Sequence, residues 1–213
     1  GSVLSFWFDR NGSPALHSSA VVVRDQVIGF LAHSFTGKSS LAATFCQAGY
    51  PMFTDDVMPI DLNDRFPVGR PGYPQMRLWP DQVSHFIGNY EQFDLVHPDY
   101  SKRRIPLQED DSSSFCYEPR PLGCLYLPER QEPEEWGLDI KITPVSPKEA
   151  VRELIRHSFM SNLLDAGDLQ PQRLNNLAKL AQQVPMRQLV YPSGLEHLPR
   201  VRDAVIEDFV ANA

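Results

Sequence analysis

The chain is poor in cysteine, with only Cys46, Cys116 and Cys124 among 213 residues. Their odd number and wide spacing offer no disulfide framework and no short paired spacing of a zinc site. They read as reduced thiols, two of them buried, in a cytoplasmic protein. Long apolar runs are missing too, and none approaches the roughly 18 residues of a spanning helix. No basic segment followed by an apolar one opens the chain, so no secretory signal is readable. Gly1-Ser2 reads as a remnant of expression, with the natural chain starting further upstream. Positive charge is in deficit: 20 Lys+Arg against 27 Asp+Glu leave a formal charge of −7. That argues against broad binding to nucleic-acid phosphates or anionic membranes. Internal repeats and long low-complexity tracts are absent.

What is present supports an ordinary core: 42% of residues are apolar and 22% charged. The length fits one large domain, or a domain with a helical appendage. Proline is abundant at 19 residues, crowded between Pro51 and Pro147, which predicts short strands and loops there rather than long helices. Two β-branched runs, 20–23 and 27–31, flank Arg24-Asp25-Gln26 and predict a hairpin whose second strand is buried on both faces. Residues 38–48 have helical composition with Leu41, Ala42, Phe45 and Cys46 on one face, and Gly49 is placed to stop that helix. A short strand over 51–54 is expected to end at Asp55-Asp56, with 57–60 extended. Residues 61–114 read as loop-rich, with a short helix over 79–87, a basic cluster at 100–104, and a polar, exposed stretch at 109–114. Strands are expected over 122–127 and 138–142, with a solvated loop at 132–135. Ser146-Pro147-Lys148-Glu149 is a capping box that starts a helix bearing Ala150, Val151, Leu154, Ile155 and Phe159 on one stripe. A helix over 171–183, a strand over 187–191 and a helix over 194–210 complete the chain. The class is α/β.

The strongest local signal is a buried strand, a polar loop, Gly37-Lys38-Ser39-Ser40, and a helix. A phosphate loop needs a strand to hold it, converging backbone amides, a helix N-terminus behind them, and a Lys that reaches the β/γ-phosphates. The hydroxyl after that Lys ligates Mg²⁺. Ser34, Phe35, Thr36, Gly37, Lys38, Ser39 and Ser40 are therefore the expected nucleotide-binding loop. Its opening half departs from G-x-x-x-x-G-K-[ST]: Ala32 stands at the first Gly position and Phe35 where related loops carry a second. Asp55-Asp56 follows Lys38 by 17 residues, room for one helix and a return strand that brings both carboxylates back beside the loop. Transfer of a phosphoryl group to a hydroxyl needs one carboxylate to accept the proton and another to support Mg²⁺.

These residues resemble the catalytic domain of the bacterial HPr kinase/phosphorylase family. The resemblance is closer to the HPr-kinase-like proteins of peptide-tailoring clusters, including lasso-peptide precursor kinases. It is carried by Leu16-His17-Ser18-Ser19-Ala20-Val21, by residues 32–40, by Ala48-Gly49 through Phe53-Thr54-Asp55-Asp56-Val57, and by Glu118-Pro119-Arg120-Pro121-Leu122-Gly123. It spans about residues 16–127 and is patchy between 61 and 117. It implies a mixed β-sheet around the phosphate-loop helix, with a kinase core over 3–145 and a mostly helical C-terminal part over 146–213. It also implies ATP and Mg²⁺, and an acceptor serine on a peptide or small protein such as a lasso-peptide precursor. Homo-oligomers are possible, and neither nucleic acid nor membrane is an expected partner.

By the same resemblance, Lys38 holds the β/γ-phosphates, and Ser39 ligates Mg²⁺ with Asp56 and Glu118. Asp55 is the base, and His17 lies near the transferred phosphate or the Asp pair. Arg120 and Arg103 contact substrate or phosphate. The late Arg-rich loop by which the family grips HPr is not found, which argues against HPr itself and against phosphorylase activity. Two other readings stay open at this point: a binding or scaffold protein on a degenerate phosphate loop, and a small-molecule kinase.

Overall fold

The computed structural model describes residues 2–33, 36–63, 65–107, 114–132, 137, 139–158 and 170–212. The chain opens with a helix that no sequence pattern marks, α1 (Ser2–Arg10). Val3, Leu4 and Trp7 on it are exposed, so no buried stripe marked it. The predicted hairpin follows as β1 (Ala15–Val23) and β2 (Gln26–Leu31). Its two-residue turn puts Arg24 and Asp25 at φ 49° and 60°, the handedness that matches the twist of the flanking strands. Every β2 residue after Gln26 is buried.

Helix α2 (Lys38–Gln47) starts directly after Gly37 and stops before Gly49, whose φ is 86°. The strand behind it, β3 (Met52–Asp61), is one continuous element. Asp55-Asp56 therefore sits in mid-strand and not at a strand end, contrary to the expectation. Thr54 explains how a carboxylate pair is tolerated there. Its hydroxyl donates to the carbonyl of Val57 (2.8 Å) and accepts from the amide of Asp56 (3.4 Å), bracing the backbone across the pair.

The segment read as loop-rich contains four short strands. These are β4 (Val68–Gly69), β5 (Gln75–Leu78), β6 (Leu95–His97) and β7 (Tyr100–Pro106), with α3 (Pro80–Phe86) between β5 and β6. Then come β8 (Arg120–Gln131), β9 (Lys141–Pro144), α4 (Pro147–His157), α5 (Gln170–Gln183), β10 (Met186–Pro192) and α6 (Leu198–Asn212). The capping box of α4 is formed as expected, with Ser146 and Glu149 bonded reciprocally. Phe159, Leu138 and residues 109–113 and 133–135, on which parts of the sequence reading fell, lie outside the described residues.

A seven-stranded mixed sheet runs β2-β1-β3-β4-β8-β10-β9, and β2 also pairs with β8, so the first five strands close a ring. A separate three-stranded sheet, β5-β7-β6, stands beside it. The closure explains how a chain with so much proline buries two cores. On one side Phe30, Phe45 and Tyr126 pack with α2 and α6, through Leu41, Val201 and Val205. On the other, Leu16, Phe53 and Leu125 pack with α4 and α5, through Leu154 and Leu180. The three cysteines are free; Cys124 is buried and Cys46 and Cys116 are half-buried, one buried thiol where two were expected. No helix of the described residues is long and apolar enough to cross a membrane.

Candidate active site

The start of α2 has no side-chain cap, because its N-cap is Gly37 in the left-handed region (φ 97°, ψ 12°). Uncapped amides at a helix N-terminus present donors and partial positive charge to an anion. Before Gly37, the Thr36 hydroxyl donates to the His33 carbonyl at 2.8 Å, and the Tyr191 hydroxyl donates to the Thr36 carbonyl at 3.5 Å. The loop is thus tied both to itself and to β10. Ser34 and Phe35 of the expected loop lie outside the described residues.

Lys38 is buried, and its ammonium donates to the carbonyls of Ala32 (2.5 Å) and His33 (3.2 Å). Burial pushes its pKa down to about 8, with Lys102 adding to the fall and the Asp55 charge offsetting part of it. An ammonium held this way is desolvated and poised to meet a richer anion.

The pairing of β1 with β3 sets Ser19 opposite Asp55. Both the Ser19 and the Ser39 hydroxyls donate to Asp55 Oδ1, the latter over 2.8 Å, and the amide of Arg77 donates to Oδ2 over 2.7 Å. Asp55 is buried, and burial raises its pKa against the lowering effects of Lys102 and these three donors. Asp56 faces a different set: Arg77 Nη1 at 3.0 Å and His17 Nδ1 at 3.6 Å. Burial, then the charge of Lys38, drives the pKa of His17 down to about 4, so near neutral pH it is an uncharged imidazole.

These groups line one cavity of about 330 Å³, at the lower end of the range for ligand sites. His17, Gly37, Lys38, Ser39, Ser40, Asp55 and Asp56 all meet there. Ser19, Arg77, Trp79, Lys102 and Arg130, none of them an expected site residue, line it as well. Four cationic side chains, Lys38, Arg77, Lys102 and Arg130, face three carboxylates, Asp55, Asp56 and Asp81. A local cationic excess in a chain of net charge −7 marks a place built for anions.

Three candidates fall elsewhere. Arg103 turns from the cavity, donating from Nη1 to the Phe93 carbonyl (3.1 Å) and lying 5.4 Å from the centre of the Tyr90 ring. Strand alternation is the reason: on β7 Arg103 and Ile105 share the inner face, so Lys102 and Arg104 take the other. Glu118 and Arg120 pair with each other at 2.8 Å on the surface, with Glu118 72% exposed, and neither lines the cavity. The Ser39 hydroxyl, expected to ligate Mg²⁺ together with Asp56, contacts Asp55 instead.

Among the described residues no cluster of three or more His, Cys, Asp or Glu side chains forms a protein-only metal site. The donor set that is present, the Ser39 hydroxyl beside the Asp55 carboxylate, fits a Mg²⁺ ion that draws its other ligands from phosphate and water.

No protein-family model matches the chain, and no curated protein matches it in sequence. Among solved structures it is similar to the HPr(Ser) kinase/phosphatase from Coxiella burnetii, with 11% identity over 93% of this chain and 94% of that one and a TM-score of 0.42.

Proposed function

We propose that the chain is a phosphotransferase that takes ATP with Mg²⁺ and passes the γ-phosphoryl group to a hydroxyl, most simply a serine of a peptide or small protein. One observation carries this reading. Lys38 and Ser39, at the uncapped start of α2, share a cavity with the Asp55-Asp56 pair of β3.

The residues divide the work as follows. The α2 amides and Lys38 bind the phosphate tail, and Lys102, Arg77 and Arg130 spread positive charge around it. Ser39, its hydroxyl oriented by Asp55, would hold Mg²⁺, which when bound neutralises charge on the β- and γ-phosphates. The acceptor oxygen attacks phosphorus in line, and its new O–P bond forms as the bond from phosphorus to the β,γ-bridging oxygen breaks. The electron pair leaves with ADP, and the acceptor proton passes to Asp55. Burial favours this step, since a carboxylate with a raised pKa is the better proton acceptor. Asp56 holds Arg77 and His17 in place beside it. Catalysis is positioning and charge neutralisation, which phosphoryl transfer chiefly requires.

The test is incubation with γ-labelled ATP, Mg²⁺ and a lysate of the source cells, followed by identification of the labelled species. Label transferred to protein or peptide by the parent chain, and lost in Lys38→Ala, is the expected result. The absence of both transfer and any Mg-ATP-induced rise in melting temperature at millimolar nucleotide would remove the proposal.

A further inference from the structure

A second cleft, of about 770 Å³, meets the first at Asp55, Asp56 and Arg77, which line both. It lies between α1 and the segment that carries β4, β5 and β7. Arg70, Arg77 and Arg104 line it, as do Phe8, Tyr73 and Tyr117.

Its charge is arranged in an unusual way. On the β5–β7 ladder Arg77 is the direct cross-strand partner of Arg104, and like charges placed opposite each other destabilise a sheet. Arg77 is compensated by Asp56 at 3.0 Å, and Arg70 by Asp61 at 2.7 Å. Arg104 has no carboxylate partner among the described residues, while its backbone amide is spent on the Asp94 carbonyl. A second feature points the same way. Tyr73 is 70% exposed, Tyr117 42% and Leu4 53%, around a cleft that already has a carboxylate pair at its inner end. Large side chains left open at a charged cleft offer stacking and apolar contact to a chain-like ligand.

We infer that this cleft is the acceptor site and that it takes an extended peptide whose hydroxyl residue is flanked by acidic side chains. The inference rests on the phosphotransferase reading for the direction of transfer, but not for the binding itself. The hydroxyl enters at the shared wall beside Asp55. A flanking carboxylate pairs with Arg104 and relieves its repulsion with Arg77, and the tyrosines cover the peptide backbone. Acidic flanks are favoured over basic ones because Arg104, whose charge no carboxylate of the described residues offsets, repels a Lys or Arg in the ligand. The occupant is thus defined by its charge, not by apolar fit alone.

The experiment is fluorescence anisotropy with three labelled peptides of equal length, each with one central serine and with glutamate, glutamine or lysine flanks. It needs no nucleotide. At low salt the glutamate peptide should bind the parent at least tenfold more tightly than the glutamine peptide, and the lysine peptide should bind worst. Arg104→Glu should reverse the order, whereas Arg152→Glu, the same charge change on α4, should leave it unchanged. Arg104→Ala should melt no lower than the parent, because it removes a like-charge pair; its loss of glutamate-peptide binding then reports recognition and not unfolding. Equal binding of all three peptides, or an unchanged order in Arg104→Glu, overturns the inference. The two readings fail separately. Tight glutamate-peptide binding with no phosphorylation on adding Mg-ATP removes the phosphotransferase and leaves the cleft. Phosphorylation indifferent to flanking charge does the opposite.

Discussion

The hydroxyl of Ser39, on the first turn of α2, donates to Oδ1 of Asp55, in the middle of β3, over 2.8 Å. This bond joins the phosphate-binding end of the site to its carboxylate, and Asp55 is the residue on which the other partners converge. Ser19 reaches it from β1 and the Arg77 amide from β5. The three donors fix the carboxylate in direction and favour its charged form, against the burial that raises its pKa.

Asp55→Asn keeps the shape of that hub and removes its ability to take a proton. The expected outcome is a fall in kcat of about 10²–10⁴-fold, the usual contribution of a positioned base. The Mg-ATP-induced rise in melting temperature should remain. Steady-state kinetics at saturating ATP measure the first and a thermal melt the second. Turnover equal to that of the parent would show that another group takes the proton.

Lys38 sets function against stability. Its pKa falls from 10.5 to about 8 because burial penalises the ammonium, a cost to the charged form of roughly 3 kcal/mol. The unfolded chain binds this proton more tightly, so the cost is fully present below pH 8 and fades between about 8 and 10.5. Loss of attraction to Asp55 returns part of it. Lys38→Met should therefore melt at or above the parent at pH 7 while losing ATP binding. In the parent, ATP affinity should be flat below pH 8 and weaken toward tenfold per unit above it. A melting temperature several degrees below the parent's would contradict the account.

How much of this was readable from residues alone can be judged site by site. The hairpin, α2 and the meeting of Lys38 with Asp55 were legible, because a buried strand, a Gly-Lys-Ser turn and a helix-length spacing admit few arrangements. The continuous course of β3 was not, since adjacent aspartates mimic a turn and the bracing bond of Thr54 is invisible in a linear pattern. The basic run at 100–104 was legible in composition but not in phase. A shift of one residue decides whether Lys102 or Arg103 enters the site, and only strand register fixes that. Glu118 and Arg120 were carried by motif likeness, and the fold spends them on each other at the surface. Arg130 had no local signal: it reaches the cavity because β8 is long enough to bring its far end beside Gly37.

Gly37 is the backbone hinge of the loop. At φ 97° a Cβ is strained, and it would stand 3.3 Å from the Tyr191 hydroxyl. The left-handed conformation alone costs a non-glycine residue roughly 1–2 kcal/mol. Gly37→Ala should lower stability by about that amount and weaken Mg-ATP binding more than tenfold, because the α2 amides would be re-aimed. Isothermal titration with Mg-ADP and Mg-ATP would check it. Unchanged affinity would mean that this turn does not cradle the phosphates.

The behaviour of the fold in acid should trace to histidines beside the loop. His157, at the end of α4, is 6% exposed and its ring lies 5.0 Å from that of His33. Burial, then the charges of His33 and Lys38, lower its pKa from 6.5 to about 4. Between these values the unfolded chain binds a proton that the folded chain does not, so stability falls as pH drops from 6.5 toward 4 and is untouched above 6.5. The ceiling for this one residue is roughly 3 kcal/mol. His17, lowered to about 4 as well, adds a smaller loss in the same window because it is only half-buried. His157→Gln cannot take up the proton and should flatten the greater part of the decline, leaving the share due to His17. Urea melts at pH 7, 6, 5 and 4.5 for parent and variant measure it. Parallel curves would show that His157 takes up its proton as readily in the folded chain as in the unfolded one and that its burial does not control the acid limb.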